Sequence, residues 1–236
     1  SDLQADRQVV MEAVSKSGKH VQYASEELRN DPQIMLTAVS ETAGAMRYAS
    51  ESLKNDRQFV LKAIERSHIV FLQLADRYGS DEVMVLAALG HHLNYQRREV
   101  FEKASDQLTT NRDFILRCVS EVDAELLGFV PEEFRADGDI VLAAVKHNGL
   151  ALRYAAEKFR SDPDVVWEAV RQNSLALKEA AEELQTDPEI TSLLRRIKPA
   201  NSPIDAIVGA RRAKIWTEHG KIVICDPDMV HSKNKL

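Results

Sequence analysis

Cysteine is scarce: Cys118 and Cys225 are the only two in 236 residues, and neither stands in a CxxC pair. A disulfide framework needs more cysteines in a shorter chain, so two reduced thiols in a reducing compartment are expected. Long apolar runs are also missing. None approaches the roughly 18–20 residues that cross a bilayer as a helix. The start, SDLQADRQVV, is polar and lacks the h-region of a signal peptide. It opens on Ser1 and not on Met, the mark of a processed or trimmed chain, which leaves a targeting signal elsewhere open. There is no Walker loop, no GxSxG, no HExxH and no Cys–His pair at a recognised spacing. These absences remove the motif-defined enzyme classes and favour a non-enzyme, though a site built from distant residues is still open. No cofactor is expected, and no metal.

What the chain does have is apolar mass and acidic charge. The apolar fraction is 44%, enough for a substantial core. Residues 1–190 hold 22 Lys and Arg against 33 Asp and Glu, a net of −11, whereas residues 191–236 hold 9 against 4, a net of +5. A change of sign at one point suggests a change of role there.

The acidic part is repetitive. YASEELRNDPQIMLTAV at 23–39 is echoed by YASESLKNDRQFVLKAI at 48–64 and YAAEKFRSDPDVVWEAV at 154–170. Copies begin at Asp6, Asp31, Asp56, Asp81, Asn111, Asp137, Asp162 and Asp187, with spacings of 25, 25, 25, 30, 26, 25 and 25. The opening Asp or Asn predicts a helix N-cap, and proline follows at the N1 position in Pro32, Pro163 and Pro188. An apolar cluster such as Ile34-Met35-Leu36 with Ala38-Val39 gives one helical face. Ser17-Gly18, Asn148-Gly149 and Asn173-Ser174 predict a turn closed in the left-handed conformation. A second helix is expected on Val21, Ala24 and Leu28, echoed by Met46, Ala49, Leu53 and by Leu152, Ala155, Phe159. The expected fold is all-α: a right-handed-type solenoid of seven short helical hairpins plus a half repeat over residues 1–197, since such short helices need neighbours. Ala13, Ala38, Ala63, Ala88, Cys118, Ala144 and Ala169 share one position, which predicts close helix approach.

The run DGDIVLAAVKHNGLALRYAAEKFRSD, Asp137 to Asp162, resembles the short helical repeat known as domain of unknown function 4116. The resemblance spans about residues 6–195 and is strongest in copies one, two, six and seven. Such repeats occur mainly in secreted effectors of intracellular bacteria that infect amoebae, in protists and in large DNA viruses. No catalytic residue is assigned to the repeat, so none is carried over. The resemblance implies a recognition or scaffold module, within an effector acting in a host cytosol.

Departures from the pattern nominate sites. The middle, about 67–135, carries His68 at a turn, a five-residue insertion around His91-His92-Leu93-Asn94-Tyr95-Gln96-Arg97-Arg98, and Gly128 with Pro131, where a broken second helix is expected. His91 and His92 suit a metal or anion. Yet neighbours on a helix point about 100° apart, so a polar loop with Arg97 and Arg98 explains them as well. Tyr23, Tyr48 and Tyr154 form a stripe, interrupted by Gln73 and Glu179, that serves either as interface anchors or as core edge against the neighbouring repeat. Glu26-Glu27 and Glu182-Glu183 recur with the repeat and read as solvated surface. Cys118, in the alanine position, reads as a buried small residue.

The remainder, 198–236, reads as a linker, a short helix over about 203–213 and a β-hairpin over 214–225, which either packs on the array or belongs to a truncated following domain. Arg195, Arg196, Arg211, Arg212 and Lys214 form a basic cluster suited to anionic lipid or nucleic acid, or to the acidic repeats themselves. Asp226 and Asp228 suit a cation less well than a strand-ending turn. The leading expectation is a non-enzymatic protein-interaction module, with a basic partner suggested by the acidic surface. The alternatives are an effector enzyme with its site in the irregular middle, and a lipid or nucleic-acid binder acting through the basic tail.

Overall fold

The computed structural model describes residues 3–91, 96–197, 215–218 and 221–224; the side chains of 193–197 and of the last two stretches are not described. Among the described residues up to 197 every regular element is helical. The chain divides into two compact units, Ser1–Phe114 and Ile115–Leu236. No helix among the described residues is long and apolar enough to cross a membrane.

Each copy opens as its first residue dictates. The carboxylate of Asp31 accepts from Gln33 N and Ile34 N at 2.8 and 3.1 Å, and helix Pro32–Glu41 starts behind it. Asp6, Asp56, Asp81, Asp137, Asp162 and Asp187 repeat this geometry, and Asn111 accepts from Phe114 N at 3.0 Å. These side chains satisfy N–H groups that a helix start leaves without partners. The core lies on the face predicted: Ile34, Met35, Ala38 and Val39 are buried, as are Ile140, Val141, Ala144 and Val145. Within the first unit, helices Arg7–Lys16, Pro32–Glu41, Arg57–Arg66 and Glu82–Gly90 pack in succession. Within the second, Gly138–His147, Pro163–Gln172 and Pro188–Ile197 do the same.

The turn differs from expectation. Ser17, Thr42, Asn148 and Asn173 end their helices in extended backbone, φ −162° to −146°, and no glycine at the turn is left-handed. Glycine stands there because the next copy comes too close for a side chain. A Cβ on Gly18 would overlap the carbonyl of Ala38, and one on Gly149 the carbonyl of Ala169. Thus the small-residue position marks the contact between copies: Ala38, Ala63, Ala88, Cys118, Ala144 and Ala169 are fully buried.

The second half is not one helix either. In the first copy it is a six-residue 3₁₀ helix, Gly18–Tyr23, an extended link, and a single α turn, Glu26–Arg29. Copies two, six and seven repeat this. Asn148 and Asn173 start the 3₁₀ segments by accepting from Leu150 N and Leu175 N. The apolar spacing shows why. Val21 to Ala24 is a step of three, the 3₁₀ repeat, and Ala24 to Leu28 a step of four, the α repeat. The extended link frees an N–H for the preceding copy: Ser50 N donates to Arg29 O at 3.2 Å, Ser105 N to Gly79 O at 2.8 Å, Ala156 N to Arg135 O at 2.9 Å and Ala181 N to Arg160 O at 2.8 Å.

Three copies depart from this plan; in the fourth, an α-helix, Arg97–Lys103, stands where the others have the 3₁₀ segment, before the α turn Asp106–Thr109. In the third, a continuous helix, Ile69–Tyr78, replaces both short segments, and the Tyr78 hydroxyl donates to Lys54 O at 2.8 Å where a backbone N–H otherwise would. In the fifth, the expected broken helix is the ordinary plan: Pro131 stands at the start of the α turn Glu132–Arg135, as Ser25 and Ser50 do in theirs. Its extra residue lies earlier. The first helix ends in a π turn, Cys118–Val122, closed by Asp123 N to Cys118 O at 2.9 Å, where Ser17 N reaches Ala13 O. That one-residue bulge accounts for the spacing of 26.

Near the end, Ile215–Glu218 pairs antiparallel with Lys221–Ile224, with Trp216 opposite Val223. The linker from 198, the short helix expected over about 203–213, Cys225, Asp226 and Asp228 lie outside the described residues.

Candidate functional site

The residues that sequence singled out fall into separate places. Tyr23 is 62% exposed on the first copy, whereas Tyr48 and Tyr154 are half-buried against the copy before them. The Tyr48 hydroxyl donates to Gln22 Oε1 at 3.2 Å. The Tyr154 ring lies directly on Gly128, which explains that glycine, since a Cβ there would meet the ring at 2.9 Å. Glu179, at the tyrosine position of copy seven, takes Arg153 Nη2 at 3.2 Å. The stripe residue therefore reaches back to the same position of the previous copy each time.

His68 and His91 are brought together. Both are buried, with ring centroids 5.3 Å apart, and His91 Nε2 lies 3.3 Å from Arg66 O. Burial pushes the His68 imidazole below its ordinary value; the Gln96 hydrogen bond opposes this, and the nearby His91 and Arg97 add to it. Arg97 donates to Leu89 O at 3.1 Å, and Arg98 pairs with Glu102 at 2.8 Å. His68 stands where Gly18 and Gly149 stand in their copies, so an imidazole occupies the tight contact with the next copy. His92, Tyr95, Arg211, Arg212 and Lys214 lie outside the described residues. So do the side chains of Arg195 and Arg196 in helix Pro188–Ile197. Among the described residues no three His, Cys, Asp or Glu side chains cluster as metal ligands.

A groove in the first unit went unpredicted. It opens where the tyrosine stripe is first interrupted. Gln73 reaches back to a different atom: its amide donates to Ala43 O of copy two at 3.0 Å and to Ile69 O at 3.3 Å, where Tyr48 reaches the Gln22 side chain. A hollow of about 510 Å³ results, lined by Met46, Arg47, Glu51, Lys54, Gln73, Leu74 and Arg77. Arg47 also borders a second hollow of about 240 Å³, with Lys19, Gln22, Thr42, Gly44 and Tyr48. Its guanidinium is held by Nε to Gly44 O at 3.0 Å and lies 5.9 Å from the Tyr48 ring centroid. Glu51 is the single acid of the groove. Lys54 Nζ at 3.0 Å and Arg77 Nη2 at 3.1 Å bond to it and hold its carboxyl below the usual carboxylate range. Arg47, Lys54 and Arg77 thus outnumber it three to one in a chain of net charge −6. The interrupted stripe was the signal in the sequence.

The periodic Asp caps, the alanine contact and the stripe recur where a family model matches the chain: residues 6–45, 33–78 and 137–185, together just over half of it. The chain belongs to the family Domain of unknown function (DUF4116). The groove lies inside the second matched stretch, so it is built on the DUF4116 repeat. No curated protein and no solved structure matches the DUF4116 chain.

Proposed function

We propose that this DUF4116 chain is a non-enzymatic binding module: a right-handed-type solenoid of seven two-part repeats and a half, whose surface holds a protein partner. The observation that supports this best is the groove of the first unit, where charged and amide groups converge beside the apolar, half-buried Leu74. Concave sites with a few placed polar groups over apolar lining are where proteins take ligands. Stacked repeats supply long surfaces for the same purpose. The family resemblance supports a setting in a secreted effector that works in a host cytosol. Affinity capture on the full chain from a eukaryotic lysate, read by mass spectrometry, tests the module. A protein retained saturably by the chain is the expected result. Failure to retain any protein saturably would overturn it.

A further inference from the structure

The groove's chemistry narrows what it holds, and this step rests on the binding-module reading. The acidic balance of the repeats argues for a basic partner; the groove argues for the opposite sign locally. We infer that the groove over copies two and three takes an acidic peptide segment, with its carboxylates on Arg47 and Arg77 and an apolar side chain on Leu74. Arg47 and Arg77 are exposed at the surface of a half-open hollow, and guanidinium groups match carboxylates with two donors at once. Glu51 decides against denser charge. It sits among the cations, already bonded to Lys54 and Arg77, so a nucleic-acid backbone or a dianionic phosphate would meet an ionised carboxylate. Single carboxylates, spaced along a peptide, avoid it. The repeat explains why the site occurs here. In copies two, six and seven the stripe residue reaches back to the side chain or glycine of the copy before, as Tyr48, Tyr154 and Glu179. In copy three the shorter Gln73 bonds to Ala43 O instead, and the hollow lies beside it.

The test is selection of peptides from a random display library on the full chain, followed by fluorescence anisotropy with the synthetic winners. Enrichment of peptides rich in Asp and Glu is expected. Arg47→Gln combined with Arg77→Gln should weaken their binding about tenfold or more, the scale of one lost charge-assisted contact. Gln73→Tyr should do the same without changing charge, by restoring the stripe and filling the hollow. Arg98→Gln, in the same unit but outside the groove lining, serves as control and should leave affinity within about twofold, as expected of a remote surface charge. Thermal melts check that each variant is folded. Winners that are not acidic, or acidic winners indifferent to both groove variants, would overturn the groove assignment and leave the module standing. No enrichment over a blank resin would overturn the assignment too, while lysate capture judges the module separately. Binding of single-stranded poly(U), lost in the same variants, would give the groove to nucleic acid and end the peptide proposal.

Discussion

At Gly149 the backbone of one copy meets the Ala169 carbonyl of the next with no room for a methyl group. Gly149→Ala therefore forces the two copies apart, and an overpacking cost of about 1–3 kcal/mol is expected in urea unfolding. Ala88→Leu, at the fully buried partner position, should cost a similar amount. A second residue-scale device is electrostatic. Arg57 Nε and Nη2 donate to the two carboxylate oxygens of Asp81 at 2.6 and 3.0 Å. That bond, helped by the N–H groups of Met84 and Val83, holds the Asp81 carboxyl below its ordinary value against the opposing cost of burial. A carboxylate depressed in this way stabilises the fold above its unfolded pKa of about 4 and loses that contribution as pH falls through its folded value. Arg57→Gln should lower Tm at neutral pH, with the gap from the unmutated chain closing in strongly acid buffer. A gap of constant size across that range would mean that Arg57 acts by packing alone.

At the scale of the element, the first helices were legible because cap and apolar spacing agree in each copy, with proline at N1 in three of them. The second halves were half legible. Steps of three and then four stand in the sequence, but six residues of 3₁₀ and four of α carry too few apolar positions to separate them from one helix. The spacing of 26 announced an extra residue without locating it. Its place in the π turn Cys118–Val122 leads to a prediction: deleting exposed Ser120 restores the period of 25 and should leave helical content and cooperative melting intact. Deleting the equivalent Ser15 from an already regular copy should broaden or abolish the transition, because Ser17 N already closes on Ala13 O. The turn carrying His68 behaves differently. A buried imidazole whose folded value is depressed stabilises the fold above the unfolded pKa of about 6.5, and the contribution is lost on acidification. The groups around it, His91, Gln96, Arg97 and Glu99, include two further bases and one acid. His68→Leu should therefore flatten the fall in Tm between slightly alkaline and mildly acid buffer. An unaltered slope would assign that fall to other groups.

For the whole molecule, copies cover one another within a unit, and the first copy exposes a residue at a position that the next three bury. Ile34, Phe59 and Met84 are buried at 0, 4 and 0% exposure, yet Val9, at the same position, is 41% exposed beside Leu3 and Tyr23. Sequence alone ranks these four residues as equals; only their place in the stack separates them. The same limit hid the groove, since the interruption at Gln73 is plain in the alignment of copies while the space it opens depends on what Tyr48 and Arg47 do next door. Ile34→Asp buries a charge with no partner in a close-packed contact, so loss of several kcal/mol is expected, enough to unfold the unit. Val9→Asp places the same charge on an open face, where surface substitutions stay within about 0.5 kcal/mol. Parallel thermal melts of the two variants decide this. If Val9→Asp proves as damaging as Ile34→Asp, the face is covered in solution. Sedimentation of the unmutated chain over a concentration series would then tell self-association through Val9, Leu3 and Tyr23 from cover by another part of the same molecule, because only self-association makes the loss depend on concentration.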